Sequence, residues 1–173
     1  MIDFQLKPFP QVERLPEIQL IGKIDRQEHI YSINYQLLGD LSSVEIPALA
    51  TIPIRKFALW ESTCFEFFIG IPGNSNYWEF NLSPSGDWNI FHFDGYRQGL
   101  RNELAFESLP VKIDRQSLSL SLDLTNIIPA STPIEVSVTT VIKPVHGEIS
   151  YWALTHIGSE PDFHLRDSFI IRM

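Results

Sequence analysis

The sequence predicts an all-β fold: an antiparallel two-sheet β-sandwich of jelly-roll-like kind, with little helix, spanning residues 1–173 as one domain. Three observations predict it. Apolar and polar residues alternate along most of the chain, and a period of two sorts side chains onto the two faces of a strand. Turn-forming residues separate these runs at short intervals, which favours antiparallel neighbours. No long window carries a helical period of apolar residues. A chain of 173 residues is long enough to bury one sizeable core and short for two.

In order along the chain, Ile18–Ile24 and Ile30–Leu38 alternate on either side of the break Asp25-Arg26-Gln27-Glu28 and read as strands. Residues 39–56, rich in proline and small side chains, read as a long irregular loop. Cys64–Ile71, Tyr77–Ser83 and Trp88–Asp94 follow as strands, divided by Pro72-Gly73-Asn74-Ser75-Asn76 and Ser83-Pro84-Ser85-Gly86-Asp87. The second of these breaks reads as a tight turn, since its serines sit in no nucleophile-elbow motif. Residues 96–110 form a second irregular segment, in which a short helix is expected. Beyond Asp114-Arg115-Gln116 lies the cleanest alternation, Ser117–Leu124, with four leucines on one face and polar residues on the other. Ile134–Ile142, Ile149–Leu154 and Ser168–Arg172 complete the strands. Alternating one-faced burial over many short strands suits two packed sheets.

Charge and composition narrow the function classes. A formal net charge of −8, with 13 scattered Lys and Arg, offers no basic stripe for phosphates, so nucleic acid is not an expected partner. No apolar run approaches the roughly 20 residues of a membrane-spanning helix, and no membrane is expected. The start Met-Ile-Asp-Phe-Gln-Leu-Lys-Pro lacks the basic and apolar regions of a secretory signal, which predicts a cytoplasmic location. The single cysteine, Cys64, has no intramolecular disulfide partner and reads as a small buried hydrophobe. His29, His92, His146, His156 and His164 show no zinc-ligand spacing, so no cofactor is expected, although a structural calcium on a loop stays open. The oligomeric state also stays open.

Strand parity assigns faces. Phe65, Phe67, Ile69 and Ile71 point to the core, leaving Cys64, Glu66 and Phe68 opposite. Trp78, Phe80 and Leu82 point to the core, leaving Tyr77, Glu79, Asn81 and Ser83 opposite. In the next strand Phe91 and Phe93 are expected in the core, with Trp88, Ile90, His92 and Asp94 opposite. The resulting outer face mixes aromatic rings with hydrogen-bonding groups, a composition suited to a sugar, which offers C–H patches and hydroxyls alternately. Glu66 and Glu79 admit three readings: solvated outward charges, ligand contacts, or a paired acid and base, whose carboxyl separation a sequence does not define. Among the tryptophans, Trp78 reads as core and Trp60 as rim; for Trp88 and Trp152 core or rim packing is the ordinary reading, and a pair lining a cleft the sharper one.

The segments Leu59-Trp60-Glu61-Ser62-Thr63-Cys64-Phe65-Glu66-Phe67-Phe68, Tyr77-Trp78-Glu79-Phe80-Asn81-Leu82-Ser83-Pro84-Ser85-Gly86-Asp87-Trp88 and Asp94-Gly95-Tyr96-Arg97-Gln98-Gly99 resemble the DOMON-like group related to type 9 carbohydrate-binding modules. The resemblance implies an antiparallel β-sandwich and a sugar held between tryptophans with polar help. Other members of that group bind haem through Met and His; here methionine occurs only at Met1 and Met173, so that arrangement is unmatched. The expectation is a non-enzymatic domain binding a carbohydrate or similar small polar ligand through Trp60, Glu66, Tyr77, Glu79, Asn81, Trp88, His92, Arg97 and Trp152. A haem or redox-cofactor binder, a protein-interaction domain and a weak glycoside hydrolase using Glu66 and Glu79 are the alternatives.

Overall fold

The computed structural model describes residues 1–10, 15–114 and 116–173. Two antiparallel sheets face each other, as the alternation predicts. The smaller contains β1 (Ile2–Gln5), β3 (Ile18–Gln27), β4 (Ile30–Gly39), β10 (Ser117–Asp123) and β9 (Lys112–Asp114), in the order β1-β3-β4-β10-β9. The larger runs β2 (Lys7–Pro8), β12 (Ser150–Ala153), β11 (Glu135–Ile142), β5 (Cys64–Gly70), β6 (Tyr77–Leu82), β7 (Trp88–Phe93) and β8 (Arg101–Asn102), and β13 (Ile171–Arg172) also pairs with β11. Among the described residues the strands at the sheet edges are short: β1 has four residues, β9 three, and β2, β8 and β13 two each. Among the described residues the only helical turns are 3-10, at Leu41–Ser43, Leu59–Glu61 and Arg166–Ser168, and none is long enough to cross a membrane. Residues 96–110 hold the short strand β8 in place of the expected helix.

The two sheets differ in how they meet water. In the small sheet Leu118, Leu120 and Leu122 of β10, and Tyr31, Ile33, Tyr35 and Leu37 of β4, are buried while their neighbours are wholly or partly exposed. That is the alternation of a sheet with one wet face. In the large sheet every residue of β5 and β6 is buried, so both faces are covered.

The inner faces form the main core. Phe67 stacks on Phe80 with centroids 4.3 Å apart and planes at 11°, and Tyr31 stacks on Phe67 from the opposite sheet at 5.0 Å. The Tyr35 hydroxyl donates to the Glu66 carbonyl at 2.6 Å, satisfying a buried polar group across the sandwich. Truncating Phe67 to alanine is expected to lower stability by about 3–5 kcal/mol in urea denaturation. Gln36→Thr on the exposed face of β4 is expected to shift it by no more than about 0.5 kcal/mol. Equal effects would mean that the sheets do not pack through Phe67.

Candidate ligand cleft on the outer face of the large sheet

Register sets which side chains share the outer face. Glu66 pairs with Asn81 and with Thr139, Phe68 with Glu79 and Ser137, and Cys64 with Val141. Across the next ladder Tyr77, Glu79 and Asn81 pair with Phe93, Phe91 and Asn89. On the other side Thr139 and Val141 pair with Ala153 and Tyr151. Directly opposed residues in an antiparallel ladder point the same way, so all of these form one surface.

This face carries a second apolar cluster of Leu59, Cys64, Phe68, Tyr77, Phe91, Phe93, Val141, Ala153, Phe163 and Phe169. Two segments cover it. Ala58 turns the chain through a left-handed conformation (φ 59°), after which Leu59 enters the cluster and Trp60 packs edge-on to Phe91 at 5.8 Å. From the C-terminal side, residues 160–169 cross the face as a strap. Arg166 pins it: its guanidinium donates to the carbonyls of Ile71 (2.8 Å) and Asn76 (3.3 Å) and to Glu135 Oε2 (3.3 Å). A Cβ on Gly70 would lie 1.7 Å from that guanidinium, so only glycine leaves room for it.

Between the strap and Trp60 lies a cleft of about 530 Å3, a size suited to a small ligand. Its floor holds Glu66, Phe68, Glu79 and Val141, its walls Trp60, Tyr151, Phe163 and His164, and its mouth Arg97, Leu100 and Glu160. A more apolar hollow of about 550 Å3 opens elsewhere, bounded by Leu37, Leu41, Val44 and Phe65. No buried acid pair lines it.

Glu66 and Glu79 are 3% and 5% exposed, which overturns their reading as solvated outward charges. Asn81 Nδ2 donates to Glu79 Oε1 at 2.8 Å, and Thr139 Oγ1 reaches Glu66 Oε2 only at 3.5 Å. Among the described residues no hydrogen-bond partner reaches Glu66 Oε1, although the Cys64 thiol beside the carboxyl partly favours its ionised form. Burial, reinforced by the charge of Glu79, pushes the Glu66 pKa well above the carboxylate range. Burial raises Glu79 to about 7, against the Asn81 amide and the positive charge of Arg97. The Cys64 thiol, buried beside both acids, is likewise pushed up.

His164 closes the network. Its Nδ1 lies 2.8 Å from the Tyr77 hydroxyl and its Nε2 3.9 Å from Glu79 Oε2. Burial, with the charge of Arg97, pulls its pKa down to about 4, so the ring is neutral at pH 7. Tyr77 also accepts from the Arg97 N–H at 3.2 Å. Arg97, itself left-handed (φ 53°), turns its guanidinium to Asp162 at 2.9 Å. Burial would raise the Asp162 pKa, but bonds from Tyr96, the His164 N–H and Arg97 hold it below the usual range.

Of the residues expected from sequence, Trp60, Glu66, Glu79 and Arg97 line the cleft, and Tyr77 and Asn81 bond to its lining. Trp88, His92 and Trp152 lie elsewhere. The parity read for β7 is inverted: Phe91 and Phe93 pack on the outer face, whereas Trp88 and Ile90 enter the inter-sheet core. Arg55 covers the Trp88 ring at 4.3 Å, and His92 tilts against Trp78 at 5.0 Å on that same side. Trp152 is also in the inter-sheet core, its indole N–H donating to Ser150 Oγ at 2.9 Å, while its neighbour Tyr151 faces the cleft. His164, Tyr151 and Phe163 were not singled out by sequence; no motif marks them, because long-range folding brings them to the face.

A carboxyl with a raised native pKa binds its proton more tightly when folded. Its contribution is therefore most favourable below the unfolded value of 4.5 and is lost as pH rises through about 7. Glu79→Gln is expected to be more stable than the parent at pH 8 by on the order of 2–3 kcal/mol, a gap closing below pH 5. Urea denaturation at both pH values reads the difference. A gap that does not change with pH would show that Glu79 ionises in the cleft as in water.

No protein-family model and no curated protein matches the sequence. Among solved structures, the fold is similar to that of a "putative carbohydrate-binding protein" from Bacteroides uniformis, with a TM-score of 0.73 at 12% identity over 97% of this chain and 84% of that one. At identity this low the likeness shows the fold alone.

Proposed function

We propose that this chain is a non-enzymatic binding domain for a carbohydrate or similar small polar ligand, seated in the cleft between Trp60 and the 160–169 strap. The observation that carries the reading is the unspent acceptor capacity of Glu66 on the floor of an aromatic-walled cleft. A buried carboxyl oxygen without a donor is costly, and a ligand hydroxyl or N–H supplies the donor. Trp60, Tyr151 and Phe163 offer ring surfaces to the apolar patches of a sugar, and Arg97 stands at the mouth with further donors. The name of the Bacteroides uniformis protein and the resemblance of 59–68, 77–88 and 94–99 to type 9 carbohydrate-binding modules and DOMON-like domains support the same reading. In this reading the ligand is held without a metal or prosthetic group.

Calorimetric titration with a panel of neutral, acidic and amino mono- and disaccharides tests it. Saturable binding is expected with at least one sugar. Trp60→Ala is expected to weaken that binding about tenfold, which corresponds to roughly 1.4 kcal/mol, whereas His92→Ala, outside the cleft, leaves it unchanged. Absence of binding across the panel at millimolar concentration would overturn the reading.

A further inference from the structure

We propose that the cleft selects a ligand carrying a primary ammonium group, an amino sugar, with that group seated between Glu66 and Glu79. This rests on the carbohydrate-binding reading and narrows its ligand class.

The first observation is an uncompensated pair of acids. Glu66 and Glu79 stand on adjacent strands, and each pairs across the ladder with the other's neighbour on the same face, Asn81 and Phe68 respectively. Both side chains line the cleft, almost wholly buried. Among the described residues no lysine or arginine forms an ion pair with either. The nearest basic group, His164, is 3.9 Å from Glu79 and engaged by Tyr77 through its other nitrogen. Arg97, the cation at the mouth, is matched by Asp162 in a 2.9 Å ion pair. Buried acids held together in this way lack the partner that usually accompanies buried charge.

The second observation is independent of charge. Among the described residues Glu66, which lines the cleft, leaves its Oε1 without a donor, and Glu79 Oε2 meets only the distant His164 ring. An ammonium carries three N–H donors and no acceptor. It can bond to an oxygen of each acid at once, where a hydroxyl supplies a single donor. A ligand cation also favours the ionised form of both acids, which burial and their mutual repulsion otherwise disfavour.

The walls agree. Phe68, Phe93, Tyr151, Phe163 and Trp60 contribute rings to the lining, and aromatic faces attract a desolvated cation. A phenylalanine ring offers a neutral hydroxyl no conventional hydrogen bond. At the mouth, exposed Glu160 adds a further negative charge on the approach to the site. A chain of net charge −8 favours encounter with a cation over an anion.

Calorimetric titration of the full chain at pH 7 with three β-1,4-linked disaccharides separates the possibilities: the glucosamine dimer, cellobiose and N,N′-diacetylchitobiose. The glucosamine dimer is expected to bind at least about tenfold more tightly than both neutral sugars. In Glu66→Gln that preference is expected to fall to within about twofold, with circular dichroism and urea denaturation reporting that the variant is folded. If a neutral disaccharide binds as tightly as the amino sugar in the parent protein, the ammonium assignment is overturned and the carbohydrate reading stands. If 1,5-diaminopentane matches the glucosamine dimer, the sugar half of the assignment falls. If none of the sugars binds, both readings fall together.

Discussion

The outer face of the large sheet depends on a guanidinium crossing a glycine. Arg166 lies where the side chain of Gly70 would be and reaches two loop carbonyls and Glu135, while its plane rides 4.9 Å from the centre of the Phe169 ring. Glu135 is also reached by Arg172 of β13, so one carboxylate ties together β11, the strap and the last strand. Fastened there, the strap presses Phe163, His164 and Phe169 onto Phe68, Tyr77 and Phe93. Without that fastening a row of aromatic rings on β5, β6 and β7 would face water, and the cleft would lose one wall. The large sheet is therefore buried on both faces by a peripheral segment of its own chain.

Covering the face has an electrostatic consequence. Two carboxyls that would be harmless on a wet sheet are trapped in a low-dielectric floor, where the charged form of each is disfavoured. Their partial relief comes from the Asn81 amide and the charge of Arg97 for Glu79, and from the Cys64 thiol and a long contact from Thr139 for Glu66. Two leucines in these positions would remove that penalty. In the proposed binding role, a ligand donor would relieve that penalty.

Much of the architecture is legible in the sequence because one-faced burial writes a period of two, as in Ser117–Leu124. Glu66 and Glu79 fall on a common face by the same rule, since Phe65, Phe67, Trp78 and Phe80 are bulky and their alternates are mixed. The rule fails in β7, where Phe91 and Phe93 compete with Trp88 and Ile90; with both faces dry, hydrophobicity no longer tells inside from outside. It fails again at Tyr151-Trp152, two adjacent aromatics of which the larger turns inward. The strap is illegible for a different reason. Its contacts join residues far apart in the chain, Tyr77 with His164 across 87 positions and Arg97 with Asp162 across 65, and no local pattern encodes such pairs.

The short strands at the sheet edges have a consequence outside the binding site. The long, apolar strands β4, β5, β6 and β11 have strand neighbours on both sides, and the outermost strands of each sheet are two to four residues long. Such brief ladders are poor templates for intermolecular strand addition. For strands rich in Phe, Ile and Val, which are prone to cross-β association when uncovered, brief borders limit the ladder that a second chain could extend.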